Sequence, residues 1–523
     1  MLKLARIFQD YAVLQQNKPI RIFGFTDQEE VKVSLTAEGK ILSKTACGKM
    51  EGDRFLAVLP PVKACRDALL TVTAGQETET VNHIDIGEVF LAGGQSNMEF
   101  LMRYEAEKEK VMEQLTAQPD PDVRYFEVPK VSYEGQLQDE DHSDEGIWRI
   151  ADRENILYFS AVGYYFARYI KNVLNNVPVG IIGCTWGGSS AAAWLDESYM
   201  NNRIQPYYDL RHKADNIDLQ ADFARYKDSR KTERSVERRK QLDEFMTRTL
   251  LEPMKFQLSP EMHDYFMRTK YAPFSPFRPC GLYHTMVKTV IPYTLAGFIW
   301  YQGEEDCITK EYDYTALQEA LIQCWRDSFY EELPFILAQL PIFKDLGGWN
   351  GLDYVPIRRQ QEEITKQMNN VYMAITADKG LPYEIHPKEK RAIGERMALL
   401  ALGHIYGKNI VCDSPEVSGA QTGEGQVSIT FLHADNGLKL HGPDTRYAPD
   451  LSDESLKEAF DVTVNGVSLS NFEVETRDNE VLVRSDKIKQ GSRVKIAYGQ
   501  KGVFCACLYN TEELPVRPFE IQL

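Results

Sequence analysis

Four short segments carry residue types that together suit nucleophilic acyl chemistry. The first is Gly93-Gly94-Gln95-Ser96-Asn97-Met98-Glu99. Glycines let the backbone turn sharply, so Ser96 can stand clear of the chain with the N–H groups of the next turn facing an anion. A hydroxyl so placed becomes a nucleophile once a base takes its proton. The segment is not the G-x-S-x-G elbow, because Met98 holds the second glycine's place. A cap or turn serine is the other reading. The second segment is Cys184-Thr185-Trp186-Gly187-Gly188-Ser189-Ser190. Gly187 and Gly188 allow close backbone approach and can present an N–H to an oxyanion. A plain tight turn would look the same.

The third segment is Trp300-Tyr301-Gln302-Gly303-Glu304-Glu305-Asp306. Gln302 offers an amide donor, and Glu304 can orient that amide or a substrate hydroxyl. The fourth runs from Asp378 through Glu384 and His386 to Pro387. Proline favours the first helical position and biases its predecessor to extended backbone, so His386 is expected where a loop meets a helix running to Leu400. On an extended segment Glu384 and His386 project to one side, about 6.6 Å apart. A carboxylate there can hold the imidazole tautomer and stabilise imidazolium. A lone histidine before proline is also a common surface or cap residue.

Something must bring the four segments together. Each follows an apolar run: Glu88–Ala92, Val179–Gly183, Ala296–Trp300 and Val371–Ile375, with a fifth run at Phe335–Gln339. Runs apolar on both faces suit strands buried on both sides, as in a parallel sheet. Between them, Val162, Tyr165, Phe166, Tyr169, Ile170 and Val173 recur at helical spacing. The expected fold class is α/β with a doubly wound parallel sheet, and ligands in such folds bind beyond the carboxyl ends of the strands. Residues 1–85 alternate short β-rich runs with turns and read as a β-sandwich accessory domain. The catalytic α/β domain is expected over 86–410, and a second β domain over 411–523. A charge-dense stretch at about 197–270, lacking Pro and Gly in its middle, reads as one or two exposed helices. It is either a lid or specificity wall beside the site, with Tyr207, Tyr208, Phe223, Tyr226, Phe245 and Phe256 available to pack on sugar rings, or a solvated excursion whose aromatics only dock its helices on the core.

The chain has 523 residues, 43% of them hydrophobic, and a net charge of −17. That composition is globular, and the acidic balance disfavours nucleic acid and anionic membrane surfaces as partners. No apolar run reaches the roughly 18 residues of a membrane span, and the N-terminus lacks a signal peptide's apolar stretch. Nine scattered cysteines without CxxC, and no His/Cys cluster at ligand spacing, imply neither metal nor cofactor; a reduced, cytoplasmic location is expected. Homo-oligomerisation is compatible with all of this.

The blocks Gly94–Met98, Trp186–Gly188, Pro276–Tyr283, Trp300–Glu304 and Ile385–Pro387 with Lys390 resemble the sialate O-acetylesterase family, a branch of the SGNH-type carbohydrate esterases. The resemblance extends over most of the chain. It implies Ser96 as nucleophile and His386 as general base. It also implies an oxyanion hole from the Ser96 N–H, a Gly187 or Gly188 N–H and the Gln302 amide. Substrate-binding roles follow for Gln95, Asn97, Glu304 and Arg278. The family's acid two before the histidine is often Asp and here is Glu384; the wider superfamily spaces it three before, where this chain has Tyr383. The triad acid is therefore Glu384, or Asp378, or absent. The implied activity is removal of O-acetyl groups through an acetyl-enzyme, with acetylated sialic acid as substrate. Alternatives are acetylated plant oligosaccharides (xylan, mannan, xyloglucan) and, in another class, an inactive carbohydrate-binding protein; the latter is opposed by an intact Ser96 and His386.

Overall fold

The computed structural model describes residues 1–233, 235–249, 260–308, 313–344, 353–443 and 453–523. They fall into two compact units. The first holds Met1–Arg248, Leu258–Leu337 and Ile364–Tyr372, and the second consists chiefly of Ala338–Glu363 and Met373–Leu523. The protein is of mixed α/β class with several sheets.

The central sheet contains β1 (Glu77–Gly94), β2 (Asp120–Glu127), β3 (Trp148–Ala151), β4 (Val179–Thr185), β5 (Gly297–Tyr301), β6 (Phe335–Ala338) and β7 (Val371–Ala374), in spatial order β3-β2-β4-β1-β5-β6-β7. The pairs β2–β4, β4–β1, β1–β5 and β5–β6 are parallel, and β3 closes one edge antiparallel to β2. All five apolar runs are strands of this sheet. Every residue of β4 and β5 is buried, as expected of strands covered on both faces. The sequence did not announce β2. Asp120, Pro121, Asp122 and Arg124 interrupt its apolar residues, and Arg124 can be buried because its guanidinium meets the Asp85 carboxylate and the Tyr11 and His83 carbonyls.

The register places the site. Gly94 stands opposite Thr185 of β4 and Tyr301 of β5, so three loops leave the sheet at one level. Gln95 N–H donates to Tyr301 O (3.2 Å) and Trp186 N–H to Gly94 O (3.1 Å), binding the three strand ends together. Gly94 has φ +133°, and a Cβ there would lie 2.2 Å from Tyr301 O, so only glycine permits this approach.

The four N-terminal strands expected from the sequence are found at Ile20–Thr26, Glu30–Ala37, Arg54–Leu59 and Cys65–Ala74, joined by Leu2–Leu4 and Lys40–Gly48. The expected boundary at residue 85 falls inside β1. The first part of that 18-residue strand pairs antiparallel with Cys65–Ala74, and the rest continues into the central sheet. In the second unit, Glu416–Gly423, Gln426–Leu432, Glu480–Arg484 and Glu473–Arg477 form one antiparallel sheet, and Phe460–Val464, Val494–Tyr498 and Phe519–Gln522 belong to another.

Among the helices, α1 (Ser96–Glu99) is a single turn directly after β1. Helix α2 (Ala161–Val173) buries Val162, Tyr165, Phe166 and Ile170 as its spacing predicts, while Val173 is exposed; Ser160 caps it by accepting the Gly163 N–H. The stretch expected to form one or two charged helices contains α3 (Leu219–Glu233), α4 (Val236–Thr247) and α5 (Pro260–Thr269), besides shorter turns. Helix α6 (Tyr314–Ser328) lies between β5 and β6 in the chain, and among the described residues no helix is long and apolar enough to cross a membrane.

Candidate active site

In the first unit, Ser96 opens α1 at the edge where β1, β4 and β5 end. Its neighbours Gln95, Asn97 and Met98 are buried, whereas Ser96, Gly187 and Gly188 are partly exposed. A Cβ placed on Gly187 would stand 3.4 Å from Ser96 Cβ, so the second glycine loop passes directly beside the serine. Gly188 has φ +73°, a conformation that favours glycine, and faces the Phe277 ring. Among the described residues, neither the Ser96 N–H nor the Gly188 N–H has an acceptor within the protein. The structure thus gathers Ser96, Gly187 and Gly188 as expected.

The remaining expected donors are already engaged. Gly187 N–H donates to Glu99 Oε2 (2.8 Å), and the other oxygen of that carboxylate pairs with Lys130. Gln302 is fully buried. Its amide nitrogen donates to Asp306 Oδ2 (2.6 Å), Gln95 Oε1 (3.1 Å) and Ser189 O (3.2 Å), while its carbonyl accepts from the Tyr314 hydroxyl (2.8 Å). In this arrangement Gln302 ties strand-end loops to each other and has no amide hydrogen to spare for an oxyanion.

Three expected substrate-binding residues behave the same way. Asn97 Nδ2 donates to Glu304 Oε1 (2.5 Å), and Gln95 Oε1 also accepts the Glu305 N–H (3.2 Å). Gln95, Asn97 and Glu304 are at most 3% exposed, so they form a buried network beneath the serine and not a sugar-binding surface. Polar groups out of water must be hydrogen-bonded, and here they bond to one another. Arg278 differs: it is partly exposed, bonds to the Ser132 and Ser275 carbonyls, and lines a cavity of about 410 Å³ with Val131, Tyr133 and His284.

The sequence reading assigned no role to Glu99 or Asp306. Asp306 accepts from Gln302, from Ser190 Oγ (2.5 Å) and from the Ala191 N–H (2.9 Å), joining the second loop to the third; burial pushes its carboxyl pKa up. The one available signal was spacing: Asp306 lies four residues past Gln302 at a helical turn, and Glu99 three past Ser96.

In the second unit, His386 lies in the loop after β7. The segment is not extended as expected. It turns at Leu381–Glu384, and Glu384 Oε1 accepts the backbone N–H of His386 (3.1 Å) while standing 3.3 Å from Lys388 Nζ. The carboxylate therefore braces the main chain carrying the imidazole. The following helix, α7 (Arg391–His404), starts four residues later than Pro387 suggested. Burial, and then the ammonium groups of Lys388 and Lys390, push the His386 pKa down to about 3. Asp378, the alternative acid, makes two bonds to Arg396 (2.6 and 2.7 Å) and is buried; the guanidinium holds its pKa below the usual carboxylate value against the cost of burial. Those bonds anchor α7 and leave Asp378 committed to that cation.

The stretch around 197–270 reaches the glycine loop. Arg230 of α3 lies over the Trp186 ring (5.5 Å), and Phe266 of α5 packs edge-on against Phe277 (5.9 Å), which faces Gly188. Tyr133, Ala214, Ala272 and Phe274 form a buried cluster against which Phe223 and Tyr226 of α3 pack. Those two aromatics dock the helix on the core. Phe256 lies outside the described residues.

Residues 274–402 match the family described as carbohydrate esterase, sialic acid-specific acetylesterase. The chain is 24% identical to mouse sialate O-acetylesterase, over all of this chain and 94% of that protein. It is 25% identical to the human sialate O-acetylesterase, over 75% of this chain and 69% of that one. A solved carbohydrate acetylesterase from Xanthomonas citri superposes with TM-score 0.71 at 24% identity, covering 100% and 99% of the two chains, and shares the fold. Residues 274–402, which include His386, thus resemble this carbohydrate esterase family, and the comparisons make the protein a carboxylic ester hydrolase.

Proposed function

We propose that the protein is a serine esterase that removes O-acetyl groups from sugars, O-acetylated sialic acid first among them, and that its α/β core is doubly wound in the SGNH manner. The observation that carries this reading is the half-exposed Ser96, with Gly187 against it and the Ser96 and Gly188 N–H groups open beside it. In the proposed reaction Ser96 Oγ attacks the acetyl carbonyl and His386 takes its proton. The tetrahedral oxyanion is received by the Ser96 and Gly188 N–H groups. His386 returns the proton to the departing sugar oxygen, then deprotonates a water that attacks the acetyl-enzyme, and passes that proton to Ser96 Oγ as the C–Oγ bond breaks and acetate leaves. Glu384 supports this chemistry by fixing the His386 backbone. The reaction needs no metal. Cytoplasmic placement is part of the proposal.

The test is acetate release across a panel of O-acetylated sialic acids and acetylated xylan, mannan and xyloglucan oligosaccharides. Turnover concentrated on the sialic acids supports the first reading; turnover confined to the plant sugars moves the substrate there. Ser96→Ala is expected to lower kcat on any active substrate, and on 4-nitrophenyl acetate, by at least about 10³-fold with circular dichroism unchanged. Activity within about tenfold of wild type would remove Ser96 as nucleophile.

A further inference from the structure

We propose that His404, Cys412 and Asp413 form a binding site for one divalent cation of the zinc class, apart from the ester-hydrolysing machinery. His404 ends α7, and the chain then loops back so that Cys412 and Asp413 face it. His404 Nε2 lies 2.9 Å from Asp413 Oδ2 and 3.6 Å from Cys412 Sγ, and Sγ lies 3.3 Å from Oδ2. The three potential ligand atoms are all within 4.8 Å of one another.

These separations are close to what one tetrahedral ion requires. With Zn–N and Zn–O near 2.0 Å and Zn–S near 2.3 Å, tetrahedral angles put N and S about 3.6 Å apart, S and O about 3.5 Å, and N and O about 3.3 Å. The N–S distance already matches, and the other two need widening by only a few tenths of an ångström. An imidazole, a thiolate and a carboxylate together favour a borderline ion such as Zn²⁺ or Co²⁺ over Mg²⁺ or Ca²⁺, which take oxygen ligands. Binding breaks the Cys412 S–H bond, releases that proton to solvent and takes the imidazole in its neutral form; water fills the fourth position.

A second, independent feature points to the same place. Gly403 sits inside α7, where glycine is less favourable than alanine. A Cβ on Gly403 would lie 2.3 Å from Cys412 Sγ and 3.1 Å from its Cβ. The helix thus carries a glycine where only glycine lets the thiol close on the helix end beside His404. An ion there would clamp the end of α7 to the loop that leads into the Glu416–Gly423 strand. The other three-residue cluster, Asp196, Glu197 and His284, is unlike it. Lys288 Nζ stands 3.0 Å from His284 Nδ1 and 3.6 Å from Asp196 Oδ2, so a side chain already supplies the positive charge.

The experiment uses the full chain, reduced and dialysed against EDTA, titrated with Co²⁺. The expected result is saturation at one equivalent, with a thiolate-to-cobalt charge-transfer band that Zn²⁺ displaces. Cys412→Ser should abolish the band. His404→Gln and Gly403→Ala should weaken binding by at least about tenfold, and Cys505→Ser should leave it unchanged. Zn²⁺ should raise the thermal midpoint of the wild type and not of His404→Gln, while EDTA leaves 4-nitrophenyl acetate hydrolysis intact. Absence of a saturable band would overturn the proposal, as would a band that survives both Cys412→Ser and His404→Gln; the trio would then be a hydrogen-bonded helix end.

Discussion

In the proposed reaction His386 is a base whose proton affinity is suppressed by its setting. Burial disfavours imidazolium, and Lys388 and Lys390 repel it, so the ring remains neutral far below the usual histidine range. A general base must be unprotonated in the free enzyme, so activity is lost only as pH falls through the lowered value. The acid limb of kcat/KM on 4-nitrophenyl acetate is therefore expected well below pH 6. Lys388→Met removes a repelling charge and leaves Glu384 negative beside the histidine, which should move that limb toward neutral pH. The sign for stability runs the same way: keeping the ring neutral favours folding above the unfolded histidine value, and the contribution disappears as acid protonates it. An acid limb near 6.5 in both proteins would show that these ammonium groups do not govern the base. Ser96 and His386 could be singled out in the sequence because they stand in glycine- and proline-marked loops. The roles of Gln95, Asn97, Gln302 and Glu304 were not, because an amide bonded internally and an amide awaiting substrate have the same spelling. Only an exposure below 4% separates them.

Strands and loops set where these groups stand. The parallel strands could be read directly, since burial on both faces makes an apolar run, and the loops after β1, β4 and β5 leave the sheet at one level. Strand β2 was not legible, because Arg124 is tolerated inside through partners distant in sequence, Asp85 among them, 39 positions away. The start of α7 was misplaced because Pro387 has the local properties of a first helical residue, whereas Glu384 and Lys388 hold that segment in bends. His404, Cys412 and Asp413 show no regular ligand spacing; a helix end and a returning loop make them neighbours. Glycines of the site differ in a way that can be measured. Alanine at Gly94 would push a Cβ to 2.2 Å from the Tyr301 carbonyl, prising β1 from β5, while at Gly188 the nearest atom is a Phe277 ring carbon at 3.4 Å. Gly188→Ala should cost about 1–2 kcal/mol, the penalty of a left-handed L-residue. Gly94→Ala should cost clearly more and lower activity as well, since a shift of about 1 Å at Ser96 is worth roughly 10²-fold in rate. Guanidinium unfolding of both variants checks this; equal losses would mean that close strand approach does not set the position of the serine.

Taken over the whole chain, the esterase machinery needs only short loops, yet a long helical excursion is set between the second and third of them. Its charge density was legible, and so was its helical character. Its inner surface was not. The aromatics that looked suited to sugar stacking are used otherwise: Tyr207 is buried, and Phe223 and Tyr226 pack on Tyr133 and Phe274. What the excursion turns toward the glycine loop is Arg230, stacked over Trp186 and paired with Glu233 (2.9 Å) and Glu140 (3.5 Å). A small aryl ester requires the nucleophile, the base and the oxyanion donors. A sugar ester also requires a surface to bind, and binding energy remote from the reacting carbonyl raises the rate only for substrates large enough to reach it. Replacing α3 and α4 by a short linker is therefore expected to lower kcat/KM on acetylated sugars far more than on 4-nitrophenyl acetate. Arg230→Ala should reproduce part of that selective loss without the risk of unfolding α3, because its removal spares the packing of Phe223 and Tyr226. The measurement is the ratio of the two kcat/KM values, wild type against variant, on protein shown to be folded by circular dichroism. A ratio unchanged in both variants would make the excursion scaffold, and the sugar would have to be recognised elsewhere, with the Arg278 cavity the next surface to mutate.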